Sequence, residues 1–208
     1  MNLTSKRDNL KKLYIPIGLA IARTGIHPNL ITLVSLFLGT ISAYFFYEER
    51  VLTAVGFFIL SGLFDLVDGV VARETDRTSK FGAVFDWIAD KWVDGFVLGA
   101  VGFAYASPFV AVTAVTVSML HSFIKPVTYA EIGFSRRIKG KIEDPLEGIG
   151  FFGRPETHIT LIIFALLERA DFPLGLNFGI KLIAFLSLSS LLLRIVYLYR
   201  HYGKEYEE

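Results

Sequence analysis

The chain has 208 residues, 53% of them hydrophobic, and a mean hydropathy of +0.51, which is too apolar for a typical soluble domain and suits a protein that crosses a bilayer several times. Its net charge of +1 excludes a broad electrostatic attraction to nucleic acid. There is no cysteine, so disulfides and thiolate metal sites are excluded and any bound metal must be held by oxygen or imidazole.

Residues 6–24 set Lys6, Arg7, Lys11, Lys12 and Arg23 around Leu13, Ile15, Ile17, Leu19 and Ile21, the pattern of a helix lying in the membrane interface. A flexible basic tail is the plainer alternative. The first apolar run follows several charges and is broken by Pro16 and Gly18, so it does not read as a cleaved leader.

Six spans are then expected, at about 28–47, 50–73, 82–104, 107–128, 154–170 and 176–199, because a helix needs roughly 20 apolar residues to cross the hydrocarbon core. The fifth is the shortest. No internal repeat or low-complexity linker interrupts the chain, so residues 1–208 are expected to form one domain. The expected fold is all-α: an integral membrane bundle of six transmembrane helices over 28–199, preceded by an amphipathic interfacial helix.

Lysine and arginine fix the expected orientation. With the N-terminus inside, the cytoplasmic side receives the N-terminal cluster, Arg73, Arg77, Lys80, Arg136, Arg137, Lys139, Lys141, Arg200 and Lys204. The opposite side receives Arg50, Arg169 and Lys181. This bias follows the positive-inside rule and puts both termini in the cytoplasm, with the protein integral to the cell membrane.

The second and third spans carry Asp65, Asp68, Asp86 and Asp90. A charged side chain at membrane depth costs roughly 2.5–3.5 kcal/mol on insertion scales, so four carboxylates there must bind something. Asp65 and Asp68 are three apart, and Asp86 and Asp90 four apart, so each pair projects from one helix face and both can converge on shared cations. The linking turn falls on the cytoplasmic side.

These residues belong to a longer pattern, D-x2-D-G-x2-A-R-x8-G-x3-D-x3-D, filled by Asp65, Asp68, Gly69, Ala72, Arg73, Gly82, Asp86 and Asp90. The pattern resembles, without gap or substitution, the signature of the CDP-alcohol phosphotransferases, integral membrane enzymes of phospholipid head-group synthesis. His27-Pro28-Asn29-Leu30-Ile31-Thr32 also resembles that family's Pro-Asn-x-x-Thr opening of the first span.

The resemblance implies a CDP-activated lipid donor, release of CMP and two Mg²⁺ or Mn²⁺ ions. Asp65, Asp68, Asp86 and Asp90 would form the metal site, with Asp90 as general base. A polyanionic diphosphate would be repelled by a carboxylate-lined site unless divalent cations intervened, which is why hard oxygen ligands suit this chemistry. The resemblance further assigns Asn29, Thr32, Asp68, Gly69, Ala72, Arg73 and Gly82 to the CDP moiety, the small residues admitting the base and Arg73 facing the diphosphate. It also implies a homodimer.

Three further cations bear on the acceptor alcohol. Lys125 ends the fourth span, Arg154 begins the fifth and Arg194 lies within the sixth; together they could receive a phosphate. The segments SFIKPVTYAEIG and GRPETHI resemble those of inositol-phosphate-using members, with departures at Pro126, Thr128, Gly153 and Thr157. The implied product is a phosphatidylinositol- or archaetidylinositol-type phosphate. Glycerol phosphate, serine or a CDP-inositol donor are the alternatives within the family.

Asp94 extends the acidic stripe by one turn, either as support for the site or as a packing residue. Lys91 points about 100° away from Asp90 and reads as an anchor or as a partner for another carboxylate. His121 and His158 are lone histidines and are assigned no ligand role. A membrane prenyltransferase would also use aspartates and magnesium but would lack the G-x2-A-R and x8-G elements. A transporter would spread its carboxylates along a path through several spans.

Overall fold

A computed structural model describes residues 7–132, 137–138, 141–142, 146 and 148–203 of the chain, with only the backbone described for 7–13, 137–138 and 141–142. The cations expected at Lys6, Arg136, Lys139 and Lys204 lie outside the described residues. Seven helices follow in order: α1 Arg7–Ala22, α2 Pro28–Tyr47, α3 Val51–Glu74, α4 Lys80–Tyr105, α5 Pro108–Glu131, α6 Arg154–Arg169 and α7 Leu176–Tyr202. Between α5 and α6 a two-residue antiparallel pairing joins β1, Arg137–Ile138, to β2, Lys141–Ile142. Otherwise the described chain is helical, as the composition suggests.

Local chemistry explains the helix starts. Pro28 and Pro108 open α2 and α5, where a missing N–H costs nothing. The Ser107 hydroxyl accepts from the Val110 N–H at 3.3 Å, and His27 Nδ1 accepts from the Asn29 N–H at 3.2 Å. Gly153 precedes α6, and its N–H donates to Glu156 Oε2 at 3.0 Å.

Four helices, α2, α3, α5 and α7, are long and apolar enough to span a membrane. The sequence led us to expect six, and the difference has two causes. α4 is 26 residues long but carries Asp86, Asp90, Lys91 and Asp94 between its second turn and its middle. α6 has only 16 residues, roughly 24 Å at 1.5 Å per residue.

The six helices after α1 close into a ring. α3 packs on α2, α2 on α4, α4 on α5, α5 on α7, α7 on α6, and α6 returns to α3, with α4 also touching α7 across the middle. The main core gathers Phe46, Phe58, Leu98, Leu161, Leu176 and Ile183. Where lipid tails are as apolar as leucine, close packing and interhelical hydrogen bonds replace the hydrophobic drive. The α2–α3 seam shows both: Ser35 and Ser61 each donate to the other's carbonyl at 2.8 Å, and the Ser42 hydroxyl reaches the Ala54 carbonyl at 2.8 Å.

α1 packs against α3, with Tyr14, Ile21 and Ala22 beside Val67, Val71 and Ile31. Gly18 permits this approach, because a Cβ there would come within 2.6–2.7 Å of the Val70 side chain. Ile17 and Leu19 stay exposed on α1.

Candidate active site and metal centre

The last three turns of α3 and the first half of α4 carry Asp65, Asp68, Asp86 and Asp90, and a link of five residues, 75–79, joins the helices. Ser79 fixes where α4 starts: its hydroxyl accepts from the Gly82 N–H at 2.9 Å. The link also ties back to the turn between α1 and α2, since Arg77 Nη1 donates to the Gly25 carbonyl at 2.9 Å.

This hairpin brings one carboxylate oxygen each from Asp65, Asp86 and Asp90 within 4.8 Å of one another. All three are partly buried. Three oxygen donors from two rigid helices suit a hard divalent cation such as Mg²⁺ or Mn²⁺. Asp68 takes a different place. It is buried, and its Oδ2 accepts from the Thr32 hydroxyl of α2 at 2.5 Å.

The small residues of the motif sit where helices or side chains come close. A Cβ on Gly82 would lie 3.0 Å from Ser79 Oγ and 3.2 Å from Asn29 Oδ1, so Asn29 reaches α4 at this glycine. A Cβ on Gly69 would lie 3.3 Å from Arg73 Nη1, because the Arg73 side chain folds back along α3. Arg73 is exposed, and Ala72 is partly buried beside it.

Arg154, the first residue of α6, enters the acidic cluster directly. Its Nη1 lies 3.2 Å from Asp65 Oδ2 and 2.9 Å from Asp90 Oδ1, while its Nε donates to Asp94 Oδ1 at 3.1 Å. The sequence placed Arg154 in an acceptor trio; the structure puts its guanidinium among the carboxylates. Arg194 is buried and donates through Nε to the Ile149 carbonyl at 2.9 Å and through Nη1 to the His121 carbonyl at 3.0 Å. His121 precedes Lys125 by one helical turn on α5. Gly150 lets the intervening loop pass close by: its φ is +93°, and a Cβ there would meet Ser190 Oγ and Arg194 Nε.

Asp94 is the residue whose importance spacing alone left open. Its carboxylate receives Arg154 Nε, His158 Nε2 at 2.9 Å and Lys91 Nζ at 3.2 Å. The i, i+4 spacings Asp90/Asp94 and Arg154/His158 were the available signal, but nothing in the sequence aligns one pair with the other. Of the two readings the sequence left for Lys91, membrane anchor or carboxylate partner, the contact with Asp94 fits the second.

A helical bundle with a carboxylate-lined polar centre at a short helix–helix link is the class of protein that this fold and site define. The chain belongs to the CDP-alcohol phosphatidyltransferase family, whose pattern matches residues 25–201. It is 30% identical over 198 residues to the phosphatidylinositol phosphate synthase of Mycolicibacterium smegmatis, covering 88% of this chain and 82% of the relative. The archaetidylinositol phosphate synthase of Pyrococcus horikoshii is 30% identical over 96 residues, 46% of this chain and 51% of that protein. The chain thus spans about half the length of several curated relatives it matches. In fold it resembles the crystal structure of Mycobacterium tuberculosis phosphatidylinositol phosphate synthase with CDP-DAG bound, with a TM-score of 0.74 at 23% identity over 95% of this chain and 99% of the other.

Proposed function

We propose that the protein transfers a phosphatidyl-type group from a CDP-activated lipid to the hydroxyl of a small phosphorylated alcohol, an inositol phosphate, and releases CMP. The observation that carries this reading is the convergence of Asp65, Asp86 and Asp90 within 4.8 Å beside the Thr32–Asp68 pair. Asp68 and these three acids hold two Mg²⁺ or Mn²⁺ ions in the working enzyme. Such ions, when bound, supply charge that neutralises the donor diphosphate and polarises its phosphorus.

The remaining roles belong to the chain. Asn29, Thr32, Gly69, Ala72, Arg73 and Gly82 seat the CDP group, with the glycines leaving room for the base. Lys125, Arg154 and Arg194 hold the acceptor phosphate and turn its hydroxyl toward Asp90. Asp90 takes the hydroxyl proton as the oxygen attacks the β-phosphorus. The bond from that phosphorus to the bridging oxygen breaks, and CMP leaves with the electron pair.

Residues 1–208 act as one domain in a cell membrane. α4 and α6 stand in the same ring as the four long apolar helices, which supports six crossings. α1, with Ile17 and Leu19 exposed, lies along the interface, and the cation bias supports an active site and termini facing the cytoplasm. The working form is a homodimer.

The test is an acceptor screen with labelled CDP-diacylglycerol and Mg²⁺, with CMP measured and lipid products resolved by mass. Myo-inositol 1-phosphate should yield CMP and a lipid of matching mass. CMP formation only with unphosphorylated alcohols would overturn the acceptor assignment. No CMP with any acceptor would overturn the reaction.

A further inference from the structure

The acidic stripe of α4 runs one turn past Asp90 to Asp94, whose side chain is 5% exposed. Three cationic or donor groups meet there: Arg154 Nε at 3.1 Å and His158 Nε2 at 2.9 Å, both on Oδ1, and Lys91 Nζ at 3.2 Å on Oδ2. A carboxylate only accepts, so His158 carries its hydrogen on Nε2 and points it at Asp94. The imidazole is steadied on its other side by Phe58 of α3, with ring centroids 4.6 Å apart and planes at 60°. α6 packs on α3 and α7. Asp94 therefore ties the start of α6 across to α4 through side chains.

The consequence falls on Arg154. A guanidinium is a rigid plane, so fixing Nε fixes where the other nitrogens lie. With Nε on Asp94, Nη1 is delivered to 3.2 Å from Asp65 Oδ2 and 2.9 Å from Asp90 Oδ1. Without the Asp94 anchor, the same side chain has several rotatable bonds over which to spread. The desolvation of Asp94 is offset by three partners, an arrangement that simple helix packing does not require.

We infer that Asp94, supported by His158, is a positioning residue that sets the guanidinium of Arg154 beside Asp90, so that a phosphate bound to Arg154 delivers its alcohol to the base. This rests on the proposed reaction with a phosphorylated acceptor. Asp94 and His158 touch neither substrate. They act through Arg154.

The test is steady-state kinetics of the full chain in detergent, varying myo-inositol 1-phosphate and CDP-diacylglycerol separately. Asp94→Asn should raise the KM for the inositol phosphate about tenfold and leave the KM for the donor within about twofold. His158→Phe should raise the acceptor KM about threefold, and His158→Gln, which keeps a donor toward Asp94, should restore most of it. Should Asp94→Asn fail to fold, as judged by gel filtration and melting, the His158 pair carries the test. Both KM values rising together, neither moving, or His158→Gln behaving like His158→Phe would overturn the proposal. A wild-type chain that forms CMP only with unphosphorylated acceptors would instead sink the functional reading beneath it.

Discussion

Arg154 Nη1 lies 2.9 Å from Asp90 Oδ1, which joins the first residue of α6 to the expected general base. The same nitrogen is 3.2 Å from Asp65 Oδ2. One cationic group is thus shared between carboxylates on α3 and α4. Asp90 Oδ1 is buried and makes this contact as an ion pair rather than as a hydrogen bond. The acceptor cations and the metal-site acids, which the sequence suggests as neighbouring groups, therefore interlock at Arg154.

That interlock depends on shape as well as charge. Arg154→Lys keeps the charge but has a single nitrogen, which cannot serve Asp94 and the Asp65/Asp90 pair together. We expect Arg154→Lys and Arg154→Ala to raise the acceptor KM by more than tenfold alike, measured as CMP release against myo-inositol 1-phosphate. Full activity in Arg154→Lys would mean that only the charge matters.

Much of this arrangement is legible before any coordinates. The expected spans beginning near Pro28 and Pro108 start where α2 and α5 do, whereas the expected spans do not include the Ser79 cap of α4, and the apolar runs set the lengths of α2, α3, α5 and α7. The acidic motif places Asp65 and Asp68 on one helix and Asp86 and Asp90 on the next, since spacing within a helix is fixed by its pitch. What the sequence does not carry is the register between distant helices. Asp94 and Arg154 are 60 positions apart, so no local periodicity brings them together. The same holds for Arg194, whose buried charge demands a partner and whose partners include the carbonyls of Ile149 and His121. α4 reads as a span by length, yet its charges keep it from resembling the four apolar helices.

The Thr32 hydroxyl donates to Asp68 at 2.5 Å inside the bundle. Thr32→Val keeps the shape and removes the donor, leaving a buried carboxylate oxygen short of a partner at a cost of about 1–3 kcal/mol. Melting temperature in detergent should fall for Thr32→Val and stay near wild type for Thr32→Ser. Equal melting of the two variants would count against this bond as a stabilising contact.

Two glycines on consecutive helices separate packing from propensity. At Gly102 of α4 a Cβ would run into the Ala111 backbone of α5, whereas at Gly56 of α3 it would meet nothing within 4 Å. Gly102→Ala must push two helices apart, which costs about 1–3 kcal/mol as overpacking. Its melting temperature should drop. Gly56→Ala should match or exceed wild type, because alanine is the better helix former.

Asp65 and Asp90 are expected to fail in different ways, although both face Arg154. Loss of a general base costs typically 10²- to 10⁴-fold in rate, so Asp90→Asn should lower kcat by that order while the donor still binds, as read by protection of the chain against melting with CDP-diacylglycerol. Asp65 belongs to the three-carboxylate cluster and is a proposed metal ligand. Asp65→Asn should therefore raise the Mg²⁺ concentration needed for half-maximal CMP release at least tenfold, with partial recovery at high Mg²⁺. Chelation with EDTA should abolish activity in the wild type, and Mg²⁺ should raise the wild-type melting temperature more than that of Asp65→Asn, because a ligand that binds only the folded state stabilises it by mass action. If excess Mg²⁺ rescued Asp90→Asn as well, Asp90 would be acting as a metal ligand alone and the base would have to be sought elsewhere.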